Sequence, residues 1–419
     1  MSLETHISGS EDRLLDSLHF AGRNSASYIT ARREATFAPS SAASWPAKGL
    51  IRFNLADHAG WLDGGTLRLI FTLTNNHVSS ALNLTGSTSA ATMFRRVRII
   101  ANGSAVLEDV EEYGRVFQMF SHLQPPQRRF TNSLETWGDK DGHEGMLGMP
   151  NSTDSIPANS SRQVCVQLLS SILSQGKLLP LAIIPLTIEI ELGDTNDAFI
   201  GSNNDWTITR PRLVASVCEL DQTLQNSYAS HILAGKSLPF YLNGIYSVKA
   251  SVPTGSSLYT LPIARGFTRL SAIYVTFSDM AGNSKWVNHF YNPLHGSEEA
   301  NTTAEDTMSY NFTIGSDRWP QFDCESIQEA AYRLRLTTAA HLGNDIFSIS
   351  GQDYREDKFI VGQSFEKAPG MNAHTGYNTR SGAQLCLNFK NLGAVSMVHC
   401  VLIYDSVLNV SAAGAEILD

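Results

Sequence analysis

From Leu50 onward, short apolar runs recur along the chain, some alternating with polar residues and some unbroken, with Gly, Pro and Asn between them. Alternation predicts half-buried strands, and unbroken runs bounded by turn residues predict strands covered on both faces. Residues 50–55 and 67–73 read as the first two, with Asp63-Gly64-Gly65 as the turn before the second. Further strands are expected at 163–169, 183–192 and 206–220, where Pro211 marks an edge or a bend. Beyond them, strands are expected at 246–252, 270–277, 308–314, 346–349, 359–361, 385–389 and 398–410.

The pattern repeats itself. Arg95 to Ile100 leads through a turn at Gly103 to Val106 and Leu107, an acidic start at Glu108 to Glu112, and a helix carrying Tyr113, Val116, Phe117 and Phe120. About 215 residues further on, Tyr310 to Ile314 leads through Gly315 to Trp319 and Phe322. An acidic start at Asp323 and Glu325 follows, then a helix carrying Ile327, Ala331, Leu334 and Leu336. A repeated β unit with a helix at the same point predicts two like domains, and 419 residues suit two of ~200 each.

Many short strands joined by long connections fit Greek-key sandwiches of the jelly-roll type. The expected architecture is all-β: two tandem eight-stranded antiparallel jelly rolls, each with a short inserted helix. Residues 1–45 read as an amino-terminal arm with a short helix at 11–20, residues 46–222 as the first roll and 223–242 as a linker. Residues 243–412 read as the second roll and 413–419 as a carboxy-terminal tail. The arm, rich in Ser and Ala, carries no core of its own and is expected to be disordered or to lie on a neighbouring molecule.

Composition narrows the function. Charged residues are 17% of the chain and hydrophobic residues 42%, which favours a loop-rich β protein whose surface leaves room for protein contacts. A net charge of -9 argues against sequence-specific nucleic-acid binding, which needs a basic face. Arg23, Arg32 and Arg33 in the arm are the local exception: ordinary solvated arginines, or contacts to an acidic surface. The five cysteines, Cys165, Cys218, Cys324, Cys386 and Cys400, include no Cys-x-x-Cys pair and read as small buried hydrophobes. The first ten residues lack a secretory pattern, so the seven Asn-x-Ser/Thr sequons, from Asn83 to Asn409, are expected to stay unmodified.

The late strand of the first unit, Leu186-Thr187-Ile188-Glu189-Ile190-Glu191-Leu192 after Leu179 to Ile184, resembles that of double jelly-roll major capsid proteins. Leu402 to Val410, with Gly414 beyond, resembles the last strand of the same family, which spans nucleocytoplasmic large DNA viruses, virophages, Polinton-like viruses and tailless membrane-containing phages. The resemblance implies a major capsid protein: a homotrimeric, pseudo-hexagonal capsomer tiling an icosahedral shell in the virion. Its implied partners are copies of itself, minor and penton capsid proteins, and an internal membrane reached through the arm, where Arg32 and Arg33 would contact acidic lipid headgroups or a neighbouring subunit. Loops 124–161, 278–307 and 362–384 would form the outer towers, the second carrying Trp286, His289 and Tyr291.

Catalytic chemistry finds little support. No metal-binding His-Glu-x-x-His helix, nucleophile elbow or phosphate loop is written in the chain. Glu111-Glu112 and Glu298-Glu299 are sequence neighbours and point apart. Asp139 to Glu144 and Asp194 to Asp197 could donate oxygens to calcium but read better as turns. His289 and His295 flank Tyr291 without a metal-ligand spacing, and Trp206 and Trp319, able to stack on a sugar, read better as buried. No catalytic, cofactor or metal residue is therefore expected. The alternatives are a two-domain jelly-roll glycan-binding or glycan-amidase protein, and a minor or penton-like capsid protein.

Overall fold

The computed structural model describes residues 28–40, 43–56, 60–83, 89–125, 155–199, 204–253, 255–279, 287, 290–294, 308–342, 349–356, 358–368 and 375–419. The expected helix at 11–20, Arg23, the turn at 139–144, Trp286, His289, His295, Glu298-Glu299 and most of the first two tower loops lie outside them.

The first half comprises β1 (Ile29–Phe37), β2 (Ser44–Pro46), β3 (Leu50–Asn54), β4 (Trp61–Asn75), β5 (Leu82–Asn83), β6 (Phe94–Ala101) and β7 (Ala105–Glu111). Helix α1 (Tyr113–Leu123), β8 (Ser155–Ile156), β9 (Ser161–Val166), the short α2 (Ser171–Ser174), β10 (Leu179–Pro180), β11 (Leu186–Leu192) and β12 (Trp206–Leu220) follow. Helix α3 (Gln222–Leu233), capped by the Asp221 carboxylate accepting from Thr223 N at 3.0 Å, leads to the second half. There β13 (Leu238–Ser251), β14 (Leu258–Pro262), β15 (Leu270–Ser278), β16 (Ser309–Ile314) and β17 (Asp317–Cys324) precede helices α4 (Ile327–Leu342) and α5 (Gly351–Glu356). The chain closes with β18 (Val361–Ser364), β19 (Leu385–Lys390), β20 (Met397–Ser411) and β21 (Gly414–Leu418).

Four antiparallel sheets carry the fold, and they match in pairs. In the first half β1, β12 and β4 run side by side with β9 on β4, opposite a sheet ordered β3-β11-β6-β7. In the second, β13-β20-β15-β18 stands opposite β14-β19-β16-β17. Strand for strand in chain order, β1 corresponds to β13, β3 to β14, β4 to β15 and so on to β12 and β20. Both halves show the jelly-roll crossing, in which these matched strands, taken in order, alternate between facing sheets except at the β6-β7 and β16-β17 hairpins. Leu69, Phe71 and Leu73 on β4 and Ile188 and Ile190 on β11 are buried in the first core; Val275, Phe277, Phe312 and Phe389 fill the second.

Several segments differ from the sequence expectation. Ile29 to Phe37, placed in the arm, is β1, paired along β12 of the same chain and burying Ala35 and Phe37. Its polar face of Arg and Glu hid the alternation. Asp63-Gly64-Gly65 is no turn but the interior of β4: a Cβ on Gly64 would lie 2.6 Å from the Leu173 carbonyl oxygen, so glycine there admits α2 against the strand. The acidic stretch Glu108 to Glu111 continues β7 instead of opening the helix, because the Glu108 carboxylate is buried. Asp323 likewise ends a strand, β17, where it pairs with Arg318 and Lys390. Leu238, expected in the linker, starts β13, and residues 414–418, expected in the tail, pair with β20. At Pro211, expected to mark an edge or a bend, the pairing of β12 with β4 shifts register between Thr209 and Arg212.

Candidate functional site: the seam between the rolls

Helix α1 joins the two halves. Glu112, with φ of 50°, turns the chain sharply out of β7 into the helix. One face lies on the first roll: a Cβ at Gly114 would meet the Thr92 carbonyl oxygen at 2.2 Å, and the buried Tyr113 hydroxyl accepts from Leu169 N at 2.5 Å. The other face enters the second roll. Arg115, fully buried, donates from Nε to Thr276 Oγ1 at 3.0 Å and from Nη2 to the Phe277 carbonyl oxygen at 2.9 Å. Its guanidinium stands 4.6 Å over the Phe290 ring. Burial lowers its pKa to about 9, so it stays charged at neutral pH. Phe120 meets Tyr274 edge-on at 5.8 Å and His122 meets Phe290 edge-on at 5.6 Å, while Gln118 and His122 share a 2.9 Å hydrogen bond. Ser247 Oγ donates to the Glu111 carbonyl oxygen at 2.6 Å, and Lys249 Nζ reaches Glu112 at 3.2 Å.

The cover leaves a mark on the second roll. All nine residues of β15 and every residue of β20 from Val398 to Ser406 are buried, although both strands belong to a two-faced sheet. Their counterparts alternate: on β4, Arg68, Ile70, Thr72 and Thr74 are partly exposed between buried neighbours, and β12 repeats this with Thr207, Thr209, Val214 and Ser216. The same sheet is thus sealed in one roll and open in the other. The opposite sheets carry their own polar cover. On the first, buried Glu189 lies between Arg52 and Arg98 (2.5 Å to the latter), and Arg96 grips Asp109 through two hydrogen bonds of 2.7 and 2.5 Å. On the second, Asn388 donates to Asn311 at 3.0 Å and Lys390 to Asp323 at 2.9 Å.

A cavity of about 600 Å³ opens where β7 faces β13 and β20, lined by Glu108, Asp109, Arg265, Arg380 and Asp419. The Glu108 carboxylate accepts from Ser170 Oγ and from both N and Oγ of Ser171 at 2.8 Å. Burial pushes its pKa up against those three bonds, so the folded chain binds a proton more readily than the unfolded one. Stability contributed here falls as pH rises from the ordinary glutamate range through the raised value. Glu108→Gln is expected to flatten that portion of the stability profile, measured by urea midpoints between pH 4 and 8; an unchanged slope would assign it elsewhere.

The residues singled out from sequence fall as follows. Arg32 and Arg33 are exposed on β1 and paired within the chain, to Asp63 and Glu219, both at 2.6 Å. Asp194 to Asp197 form a turn: Asp197 Oδ2 accepts from Asp194 N at 3.0 Å, and Asp194 holds Lys48 at 2.7 Å. Trp206 is buried, its Nε1 donating to the Thr195 carbonyl oxygen, and Trp319 stands edge-on to Phe365 and Tyr377. In the third tower candidate, Tyr377 bridges back to Leu270 and Thr379 to Phe267. The cysteines are free; Cys218, Cys324 and Cys400 are buried and the other two half-buried. Among the described residues no group of three or more His, Cys, Asp or Glu is placed to hold a metal ion. The seam residues Arg115, Gln118 and His122 were missed, since polar residues on an amphipathic helix read as its solvent face.

No protein-family model matches the chain, and neither does any curated protein. Solved structures do. PBCV-1 VP54, in a crystal structure fitted to the virophage Sputnik, superposes with a TM-score of 0.64 over 96% of this chain and 99% of its own, at 10% identity. A chain of the Sputnik virophage structure gives 0.58 over 98% and 93%, also at 10% identity, and the Faustovirus major capsid protein 0.58 over 98% and 94%, at 8%. At such identities the likeness defines a fold class: the chain is a double jelly roll, the architecture of these viral coat proteins.

Proposed function

We propose that the chain is a major capsid protein that assembles as a homotrimeric, pseudo-hexagonal capsomer and tiles the icosahedral shell of a DNA virus or virus-like element. The likeness to the Faustovirus major capsid protein over both rolls carries this reading. Two rolls of one topology per chain give a ring of six similar wedges from three chains, and closed rings of this kind need large lateral interfaces of low charge. The role is structural, not catalytic, and its place is the virion. Copies of the chain are the first partners; minor and penton capsid proteins and an internal membrane come second, reached through the arm.

Light scattering of the purified protein, followed by negative-stain imaging of the main peak, tests the reading. The expected result is a particle of three 45.8 kDa chains with a hexagonal outline; a monomer at every concentration would overturn it. Because Arg32 and Arg33 are engaged by Asp63 and Glu219, the arm's outward contacts are assigned to residues before Tyr28. Deleting residues 1–27 is then expected to spare the trimer and to impair shell assembly, scored by electron microscopy of expressed particles; intact shells would remove the arm from assembly.

A further inference from the structure

We infer that the apolar groove between helix α3 and the end of the first roll is the docking site of the chain's own amino-terminal arm, with Leu14, Leu15 and Leu18 seated in it. The inference concerns a single chain and does not rest on the capsomer reading.

The helix itself calls for cover. Helix α3 buries only Ile232 of its twelve residues, and an isolated helix of that length is marginal in water. Its inner face runs through Gln225, Tyr228, Ala229 and Ile232, at helical spacing, and stands off the roll across a groove of about 400 Å³. Trp61, the first residue of β4, and Ile183, just past β10, form the opposite wall. The Trp61 and Tyr228 rings meet at 5.0 Å, and Leu233 at the rim is 83% exposed. Among the described residues that line the groove Glu219 alone is charged, and Arg33 engages it at 2.6 Å, so the groove suits an apolar occupant.

The path of the chain identifies the occupant. The Tyr28 carbonyl oxygen accepts from Asp221 N at 2.7 Å, and Asp221 caps α3, so residues 1–27 join the fold at the mouth of the groove. Within them the stretch 11–20, which reads from sequence as a short helix, carries Leu14, Leu15 and Leu18 at positions of one face and Asp12, Arg13 and Asp16 at positions of the other. Seven residues, 21–27, separate Phe20 from Tyr28 and span at most ~25 Å, whereas α3 is ~18 Å long, so the leucines can reach any part of the groove. A tether that short holds the segment at an effective concentration on the order of millimolar, which favours the groove of the same chain over a partner present below that level. Docked there, the leucines and the inner face of α3 remove each other from water, and residues 1–10 are left for the arm's outward contacts.

The test compares the full chain with its Leu14→Asp, Leu18→Asp double variant, which leaves every residue of both rolls unchanged. Hydroxyl-radical footprinting of Trp61 and Tyr228 and hydrogen exchange of the α3 amides are the readouts. The variant is expected to keep the wild-type melting temperature, to label Trp61 and Tyr228 several-fold more, and to exchange the amides of residues 222–233 about tenfold faster. In the wild type both protections are expected to hold over a roughly hundredfold dilution, as a contact within one chain requires. Equal labelling and exchange in the two proteins would overturn the proposal. Protection that fades on dilution would assign the groove to the arm of a second copy, and protection gained only with phosphatidylserine vesicles would assign it to a lipid surface; either result overturns docking within the chain. Particle mass decides none of these outcomes, so the capsomer reading stands or falls separately.

Discussion

Arg115→Ala is expected to lower the stability of the chain by about 3 kcal/mol and to uncouple the two rolls. The side chain is buried and donates into the second roll, to the Thr276 hydroxyl and to a backbone carbonyl that loses this donor when the arginine goes. Truncation also empties the space beneath Phe290, whose ring the guanidinium faces. Arg115→Lys would not restore the fork that reaches Thr276 and Phe277 together, since an ammonium is a point donor. Urea unfolding gives the measurement: one cooperative transition in the wild type, and two in the variant as the rolls part. A single transition with a loss under about 0.5 kcal/mol would show that the remaining contacts of α1 hold the seam alone.

The second large effect is on pH. His399 on β20 pairs in register with Thr276, the residue that receives Arg115 Nε. Burial first, then the charges of Arg115 and Lys249, hold its pKa well below the ordinary histidine value. The folded chain thus binds fewer protons here than the unfolded one, so the stability contributed is present above the unfolded histidine range and is lost as pH falls through it. The expected slope reaches about 1.4 kcal/mol per pH unit below that range. The cost appears at the seam, because a proton on His399 sets a second positive charge beside Arg115. His399→Gln is expected to remove the slope between pH 6.5 and 5, followed by thermal melts; if both proteins lose stability in parallel, another group is responsible. Capsomers exposed to mild acid would then loosen between their rolls before the rolls themselves melt.

Much of the fold could be read from the residue pattern, and the failures have physical reasons. The unbroken runs that became β15 and β20 and the two helices fell where periodicity put them, because burial on one or both faces leaves a clear apolar signature. Strand β1 escaped because only Ala35 and Phe37 of its nine residues are buried, the rest being Arg, Glu and other exposed residues. Strand β4 was cut short because Asp-Gly-Gly carries the chemistry of a turn, while here the glycine yields to α2. The seam was invisible for a different reason: Arg115, Gln118 and His122 are polar, and their burial depends on a partner some 160 residues away. One signal could have found it. Corresponding strands of two like sheets differ in alternation, β4 alternating and β15 not, and only cover on the second face of β15 explains the difference.

That separation along the chain also sets an order of events during synthesis. Arg115 and Thr276 are 161 residues apart, so at ~5–20 residues per second a ribosome delivers α1 roughly ten to thirty seconds before the strand that covers it. Throughout that interval the first roll can close its own core, yet the face of α1 bearing Arg115, Gln118, Met119 and His122 waits in solvent. The nascent first half is therefore the form most open to chaperones and to premature contact with its neighbours on a polysome, and completion of β15 ends that vulnerability.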